Sequence, residues 1–350
     1  MRIRRTFPIL LAVVIVGAAV TLAVQLRKQA PPEPARLLPG ADAFFYANLG
    51  WARKAAGGNG LPSVSHDPEY ERFIQATGIE FERDLDAVAF AAHYPASWPG
   101  GGTGGNSPEP RFSEVLVGKF HGERLAAYLK QLATSVESYN SVDIFTIPVQ
   151  DRRFRLAILG VDSVAASNHD DPAVIRGMVD RSRRLASPFG GPAFLRKYYK
   201  RVQFASPVWI VARIQPSAPD FRGWSMIFPK ATDLVISASY NPLHLPLRRP
   251  GALHLRAEAV AGSADDARNI AEQVNVYLGL FHGAESSAGG HGNDPDVKAF
   301  FDSLQVRQEG DRTILSATMP LGFLHKMFSP EELPAPPLPS SGQATPSRSH

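Results

Sequence analysis

The chain has 350 residues, 44% of them hydrophobic and 20% charged, with a formal net charge of +4 and no cysteine. This is a globular composition with room for one large or two ordinary domains. The missing cysteine excludes disulfides, thiolate metal centres, a cysteine nucleophile and a lipid-modified N-terminal cysteine.

The positive charge sits at one end. Residues 1–36 hold Arg2, Arg4, Arg5, Arg27, Lys28 and Arg36 against Glu33, a net of +5, leaving 31 basic and 32 acidic side chains, a net of −1, on the other 314 residues. A near-neutral body offers no overall counter-charge to a phosphate backbone, so nucleic acid is not expected as a partner. Within the basic end, residues 7–24 form a run of 18 residues with no charged side chain. At about 1.5 Å per residue this helix would reach about 27 Å, enough for the hydrocarbon core, and in lipid only a helix satisfies its own backbone amides. The heavier positive charge precedes the run. That predicts a single-pass anchor in the cytoplasmic membrane, with the N-terminus inside and the body extracytoplasmic. A cleaved signal peptide with its site near Thr21-Leu22-Ala23 is a second reading. A twin-arginine signal around Arg4-Arg5-Thr6-Phe7 is a third. All three assign residues 1–28 to membrane targeting and export the rest.

Residues 29–40 (QAPPEPARLLPG) read as a Pro-rich, extended tether. Apolar strand patterns follow at 41–49, 84–95 and 113–120, the last leading into a helix at 122–132 with Leu125, Leu129 and Leu132 on one face. Further strands are predicted at 142–149 and 155–166. A similar order recurs at 207–214, 233–242 and 252–261, then a helix at 264–281 and a strand at 312–319. Ser263 with Asp266 caps that second helix. Asp67-Pro68, Asp171-Pro172 and Asp294-Pro295 each place a capping carboxylate before a first-turn proline. The expected architecture is α+β: two diverged repeats, 41–186 and 187–329, each a largely antiparallel sheet with helices on one face, preceded by a single N-terminal transmembrane helix; two unrelated α+β domains or one continuous sheet are the alternatives. Residues 330–350 hold six prolines and read as a disordered tail, with PxxP forms at 334–337 and 336–339.

Leu-Pro-Gly-Ala-Asp-Ala-Phe-Phe-Tyr at 38–46 and Thr-Gly-Ile-Glu-Phe-Glu-Arg-Asp-Leu-Asp at 77–86, placed behind the anchor, resemble a family of bacterial envelope-anchored proteins of unknown function. The resemblance covers the anchor and the first half. It implies location and architecture and carries no activity.

Motifs for catalysis are incomplete. The run GGGTGG at 100–105 contains GxGxxG, but Asn106-Ser107-Pro108 follows instead of a helix, so it reads as a loop. Gly223-Trp224-Ser225-Met226-Ile227 begins like a nucleophile elbow and fails at Ile227, where the sharp turn needs a small residue. Ser163 lies inside a strand pattern. Ten histidines occur without a tight metal spacing; His169 with Asp170 and Asp171 is the densest group, and its aspartates serve the helix cap. Asp84 and Asp86 flank a strand start, where solvated carboxylates are common. No cofactor is expected.

One charge concentration suggests a surface. Arg176, Arg181, Arg183, Arg184, Arg196, Lys197, Lys200 and Arg201, with Tyr198 and Tyr199 among them, are opposed only by Asp180 between residues 176 and 201. Side by side, the two helices carrying them would present a basic face to lipid headgroups, an anionic envelope polymer or another envelope protein; otherwise they are solvated helix faces. The candidate partner surface is therefore Arg181, Arg183, Arg184, Arg196, Lys197, Tyr198, Lys200 and Arg201. The expected function is a membrane-anchored, extracytoplasmic, non-enzymatic binding or envelope-organising module. The alternative is an exported hydrolase whose site assembles from residues distant in sequence, and a third reading is a ligand-binding sensor module with its pocket in an inter-repeat cleft near residues 185–207.

Overall fold

The structure, a computed structural model, describes residues 30–55, 66–94, 110–150, 152–183, 190–216, 223–240, 252–287, 295–320 and 322–323. The apolar run 7–24, the glycine run 100–105, Arg184, Asp294 and the tail 330–350 lie outside them.

In chain order the elements are α1 (Glu33–Leu37), β1 (Ala43–Asn48), α2 (Leu49–Ala55), α3 (Pro68–Thr77), α4 (Phe81–Asp84), β2 (Leu85–His93), β3 (Arg111–Gly118), α5 (Gly122–Leu132), β4 (Ser135–Tyr139), β5 (Val142–Val149), β6 (Arg152–Ile158) and β7 (Ser163–Ser167). They continue with α6 (Ala173–Ser182), α7 (Ala193–Tyr199), β8 (Val208–Ile214), β9 (Thr232–Tyr240), β10 (Ala252–Val260), α8 (Ala264–Ser287), α9 (Pro295–Asp302), β11 (Gln305–Glu309) and β12 (Arg312–Pro320). The fold is mixed α+β, built on one antiparallel sheet of 12 strands in the order β11-β12-β10-β9-β8-β1-β2-β3-β7-β6-β5-β4. β1 and β8 meet at its centre, pairing Phe44 with Val211 and Tyr46 with Trp209. The ranges 41–186 and 187–329 thus contribute neighbouring strands to a single sheet.

Side chains alternate across each strand, so neighbours enter different cores. Ile144, Ala165 and Trp209 join a core completed by Ala35 and Leu37 of α1, Ile175 and Met178 of α6, and Leu195 and Tyr198 of α7. Phe145 and Val164, one residue along, pack instead with Leu125 and Leu129 of α5. Ile214 and Ala259 pack with Ala267 and Ile270 of α8. Helices therefore cover both faces, not one as expected. The short helices α1, α6 and α7 are too brief to show a long apolar stripe in sequence, yet together they pack into the largest of the three cores.

Two further expectations are corrected. The segment 29–40 is not a free tether: Pro34 in the first turn presets a helical backbone angle, and the chain then buries Ala35 and Leu38 completely. The run 155–166 is two strands, because the chain reverses through Leu159–Asp162, where Leu159 N–H donates to Ser163 C=O at 2.9 Å. Val161 disguises that turn as strand, being apolar yet 89% exposed.

The predicted caps form. Asp67 Oδ1 accepts from the N–H groups of Glu69 and Tyr70 at 2.9 and 2.8 Å. Asp171 Oδ1 accepts from Ala173 N–H at 2.8 Å, and Ser263 Oγ from Asp266 N–H at 3.1 Å. Each satisfies a first-turn amide that the helix itself cannot.

His93 ends β2 with 6% of its surface exposed. Burial, with the neighbouring His169, pushes its imidazole down from 6.5 to about 4, against the attraction of Asp42. Between those values the unfolded chain binds a proton that the folded chain refuses, so stability falls as pH drops from about 6.5 towards about 4, by about 3 kcal/mol in all. Urea midpoints at neutral pH and near the lower limit measure this. His93→Gln should flatten the difference; an undiminished difference in the variant would assign it to other groups.

Candidate functional site

The basic residues flagged by sequence divide sharply in space. Arg181, half buried on α6, donates Nε–H to Leu37 C=O at 2.8 Å and so caps the C-terminal end of α1. Tyr198 is 3% exposed and donates its hydroxyl to Asp233, which Arg213 also holds at 3.1 Å. Arg201 pairs with Glu258. Arg183 reaches Ser141 C=O at 3.4 Å, and Arg176 pairs with Glu137 at 2.8 Å. Arg196 folds its stem over Gly190. Lys197 lies 4.7 Å from the centre of the Tyr198 ring and is exposed, as is Lys200. Arg181, Tyr198 and Arg201 are thus committed to internal contacts, while Arg196, Lys197 and Lys200 remain at the surface.

The strongest of those contacts is centred on Glu258 of β10. Its carboxylate, 3% exposed, meets Arg201, Arg256 at 3.3 Å and Arg312 at 3.1 Å. Burial alone would raise its pKa, but Arg312 and Arg201 hold it below the ordinary carboxylate value. In sequence Arg256 and Glu258 show only as alternate residues of one strand.

The residues examined for catalysis are placed in supporting roles. Asp84 is bound by the Arg83 guanidinium and by Glu80 N–H, while Asp86 pairs with Arg53 at 2.5 Å, so the two carboxylates serve different partners. Ser163 begins β7 beside the turn at Gly160. The segment around Ser225 is a turn leading to β9, without the strand-to-helix context of an elbow. His169 Nδ1 accepts from Asp171 N–H at 3.2 Å, within the α6 capping loop. Among the described residues no group of three His, Asp or Glu side chains is placed to hold a metal ion.

The described residues also form a cleft beside the connection 200–207, within the stretch 185–207 where the sequence offers an inter-repeat pocket. This cleft, of about 850 Å³, opens at the β1–β8 seam, between α2 and the connection from α7 to β8. Tyr46, Trp51, Tyr199 and Phe204 supply its aromatic lining, Lys200 its charge, and Ala30 and Pro32 one edge. Below it, Trp209 stacks on Tyr46 at 5.5 Å and takes Tyr199 edge-on at 5.3 Å. Trp51 is fixed by its N–H bond to Asn48 Oδ1 at 2.8 Å, and Asn48 N–H reaches Pro207 C=O at 2.7 Å. These bonds tie the connection to the end of β1. The connection bends through Ala205 at φ 57, a left-handed conformation costly for a side chain with Cβ. It leaves Phe204 68% exposed at the rim.

Burial raises the Tyr46 phenol, and burial with Tyr46 beside it pushes Tyr199 up to about 12, so both are neutral, amphipathic rings. Ser206 Oγ donates to Gln203 C=O at 2.7 Å, and among the described residues that line the cleft there is no histidine or carboxylate to activate it. Aromatic rings, backbone groups and one ammonium suit recognition of a surface more than proton transfer. The residues come from 30–51 and 199–207, too far apart for a local motif; the sequence signals are the break between the two halves near 185–207 and aromatic density on both segments.

No family model matches the sequence, and no curated protein matches it. Crystal structures of a protein named TP0453 are similar. Form III has a TM-score of 0.46 at 11% identity, covering 85% of this chain and 97% of that one. Form IV has a TM-score of 0.40 at 11% identity, with 84% and 95% covered. A likeness of this degree assigns neither family nor activity.

Proposed function

We propose that the chain is a membrane-anchored extracytoplasmic binding module that engages another envelope protein through the seam cleft. The observation carrying this reading is the cleft itself, a site whose described lining is aromatic, with Lys200 at its edge. Its position supports the reading further. Ala30 and Pro32 form one edge, and only residues 25–29 separate them from the apolar run, a span of at most about 20 Å. If residues 7–24 cross the bilayer, the cleft faces the membrane-proximal space where other envelope proteins emerge. No helix among the described residues is long and apolar enough to cross a membrane, and the proposed anchor is the apolar run 7–24.

The same reading includes a duplication. The order strand, strand, strand, helix, hairpin occurs as β1-β2-β3-α5-β4-β5 and again as β8-β9-β10-α8-β11-β12, with β1 and β8 paired across the centre. Both hairpins turn through two residues, Asn140-Ser141 and Gly310-Asp311. The β6–β7 hairpin would then be an insertion between β3 and β5.

The hydrolase alternative has its best foothold at His66, Glu82 and Tyr70. His66 Nε2 is 3.5 Å from Glu82, whose carboxylate accepts the Tyr70 hydroxyl at 2.7 Å. That hydroxyl also accepts Phe81 N–H at 2.7 Å, and Tyr70 stacks on Phe81, which makes the group a packing cluster between α3 and α4.

A photo-crosslinking residue at Phe204, compared with one at Val161, tests the proposal in intact cells. A discrete adduct with an envelope protein from position 204 alone is expected. No adduct, or the same adducts from both positions, would remove the cleft from the reading. Alkaline extraction of membranes tests the anchor separately: a protein of full mass should stay in the pellet. Substitution of Arg201 belongs in neither experiment, because it breaks the Glu258 network.

A further inference from the structure

A second concavity of about 360 Å³ lies on the face of the sheet covered by α6. It is lined by Ala173, Gly177 and Arg181, which share a stripe of that helix, by Pro39 beyond α1, and by His93 and His169 at the ends of β2 and β7. Two of its polar groups have buried atoms without a hydrogen-bond partner: Nε2 of His93 and Nη2 of Arg181. A buried donor left unpaired costs about 1–3 kcal/mol, and more when it is charged.

Among the described residues no carboxylate pairs with Arg181, although Asp180 acts on it through space. Its adjacent Asp180 is turned away, accepting from Tyr139 Oη at 3.1 Å and Asn140 Nδ2 at 2.6 Å. Burial lowers the Arg181 pKa from its ordinary value, but a guanidinium stays cationic in proteins. His93 and His169 meet edge to face at 5.3 Å, and burial holds both below the ordinary histidine value. At neutral pH the charge among the lining residues is that of Arg181, with imidazole nitrogens beside it, while the Asp42 carboxylate acts on His93 from outside the lining. The pocket's remaining walls, Pro39, Ala173 and Val174, are apolar.

We propose that this pocket binds a small carboxylate bearing a short apolar group, its oxygens taken by Arg181 Nη2 and His93 Nε2. A monoanion matches the single charge. A planar carboxylate suits the free end of the guanidinium fork, since Nε is occupied by Leu37. The site is separate from the seam cleft and stands without it.

The test uses the full chain in detergent with histidines labelled by ¹⁵N, titrated with sodium butyrate, with butyramide and sodium chloride as controls. The expected result is a saturable shift of the His93 Nε2 resonance with butyrate and none with either control. Arg181→Met should weaken butyrate binding about tenfold or more. Because that variant also loses the α1 cap, Gly177→Ala provides a second probe: its Cβ would stand 3.5 Å from Arg181 Nη1, in ordinary contact, and alanine favours the helix. It should keep the fold and weaken binding severalfold by shielding the guanidinium. A His93 resonance unmoved by butyrate, moved equally by butyramide, or still saturable at unchanged affinity in Arg181→Met would overturn the proposal.

Discussion

Replacement of Glu258 by alanine is expected to cost about 3–5 kcal/mol of folding stability, because it leaves three guanidinium groups facing one another with their shared counter-charge removed. Arg201 follows α7, Arg256 is on β10 and Arg312 on β12, so one carboxylate ties a helix connection to two strands. The acid dependence has a defined sign. Glu258 is held below its ordinary value of 4.5 in the folded chain, so its contribution is complete above about pH 4.5 and is lost as pH falls through the lower folded value. The window lies below that of His93, which acts between about 6.5 and about 4. Urea midpoints across both windows for the wild type, Glu258→Ala and Glu258→Gln separate the two. Glu258→Gln should recover part of the loss through hydrogen bonding while removing the lower acid limb. A midpoint for Glu258→Ala within error of wild type would show that the network is replaced by solvent at no cost.

The second large effect is expected at Trp209. Among the described residues it is the bulkiest fully buried side chain, 1% exposed, on the strand that joins the two halves of the sheet. Trp209→Ala should cost about 3–5 kcal/mol through lost burial and the cavity that remains, while Trp209→Phe should keep most of the packing. The alanine variant also removes the support of Tyr46 and Tyr199, so both lining rings of the cleft lose their common partner. Thermal unfolding measures the stability, and tryptophan emission provides an independent reading: the blue-shifted component from a buried indole should vanish in both variants. Trp209→Ala with an unchanged midpoint would mean that the seam is not under the packing constraint described. A cross-link from Phe204 that persists in Trp209→Ala would place partner recognition at the rim of the cleft, away from its floor.

Much of the secondary structure was legible because its causes are local. Asp67, Asp171 and Ser263 started helices where their side chains bond the first-turn amides, and strand patterns at 142–149 and 207–214 matched elements found within a residue. The misreadings share a cause as well. The prolines of 29–40 suggest an extended tether, yet Ala35 and Leu38 are buried because α6 and the sheet surround them. The Val161 side chain suggests strand, although the backbone turns there and exposes it.

The candidate sites divide along the same line. The clustering of Arg181, Arg196, Lys197 and Arg201 in sequence is real, but charge has no direction until the chain folds. Arg181 turns to a helix end and Arg201 to a buried carboxylate, while Lys197 and Lys200 stay in water. The cleft depends on Tyr46 and Tyr199 meeting over Trp209, and the second pocket on His93 and Arg181 converging from β2 and α6. By itself the sequence determined the local starts and stops, the apolar face of each long helix, the near-neutral charge of the body and the apolar run that precedes it. Only the tertiary structure decided that the strands form one sheet, that helices cover both faces and which polar groups are left facing a cavity. The reason is physical: capping and periodicity act over a few residues, whereas burial and charge pairing are settled by whichever distant segments the sheet brings into contact.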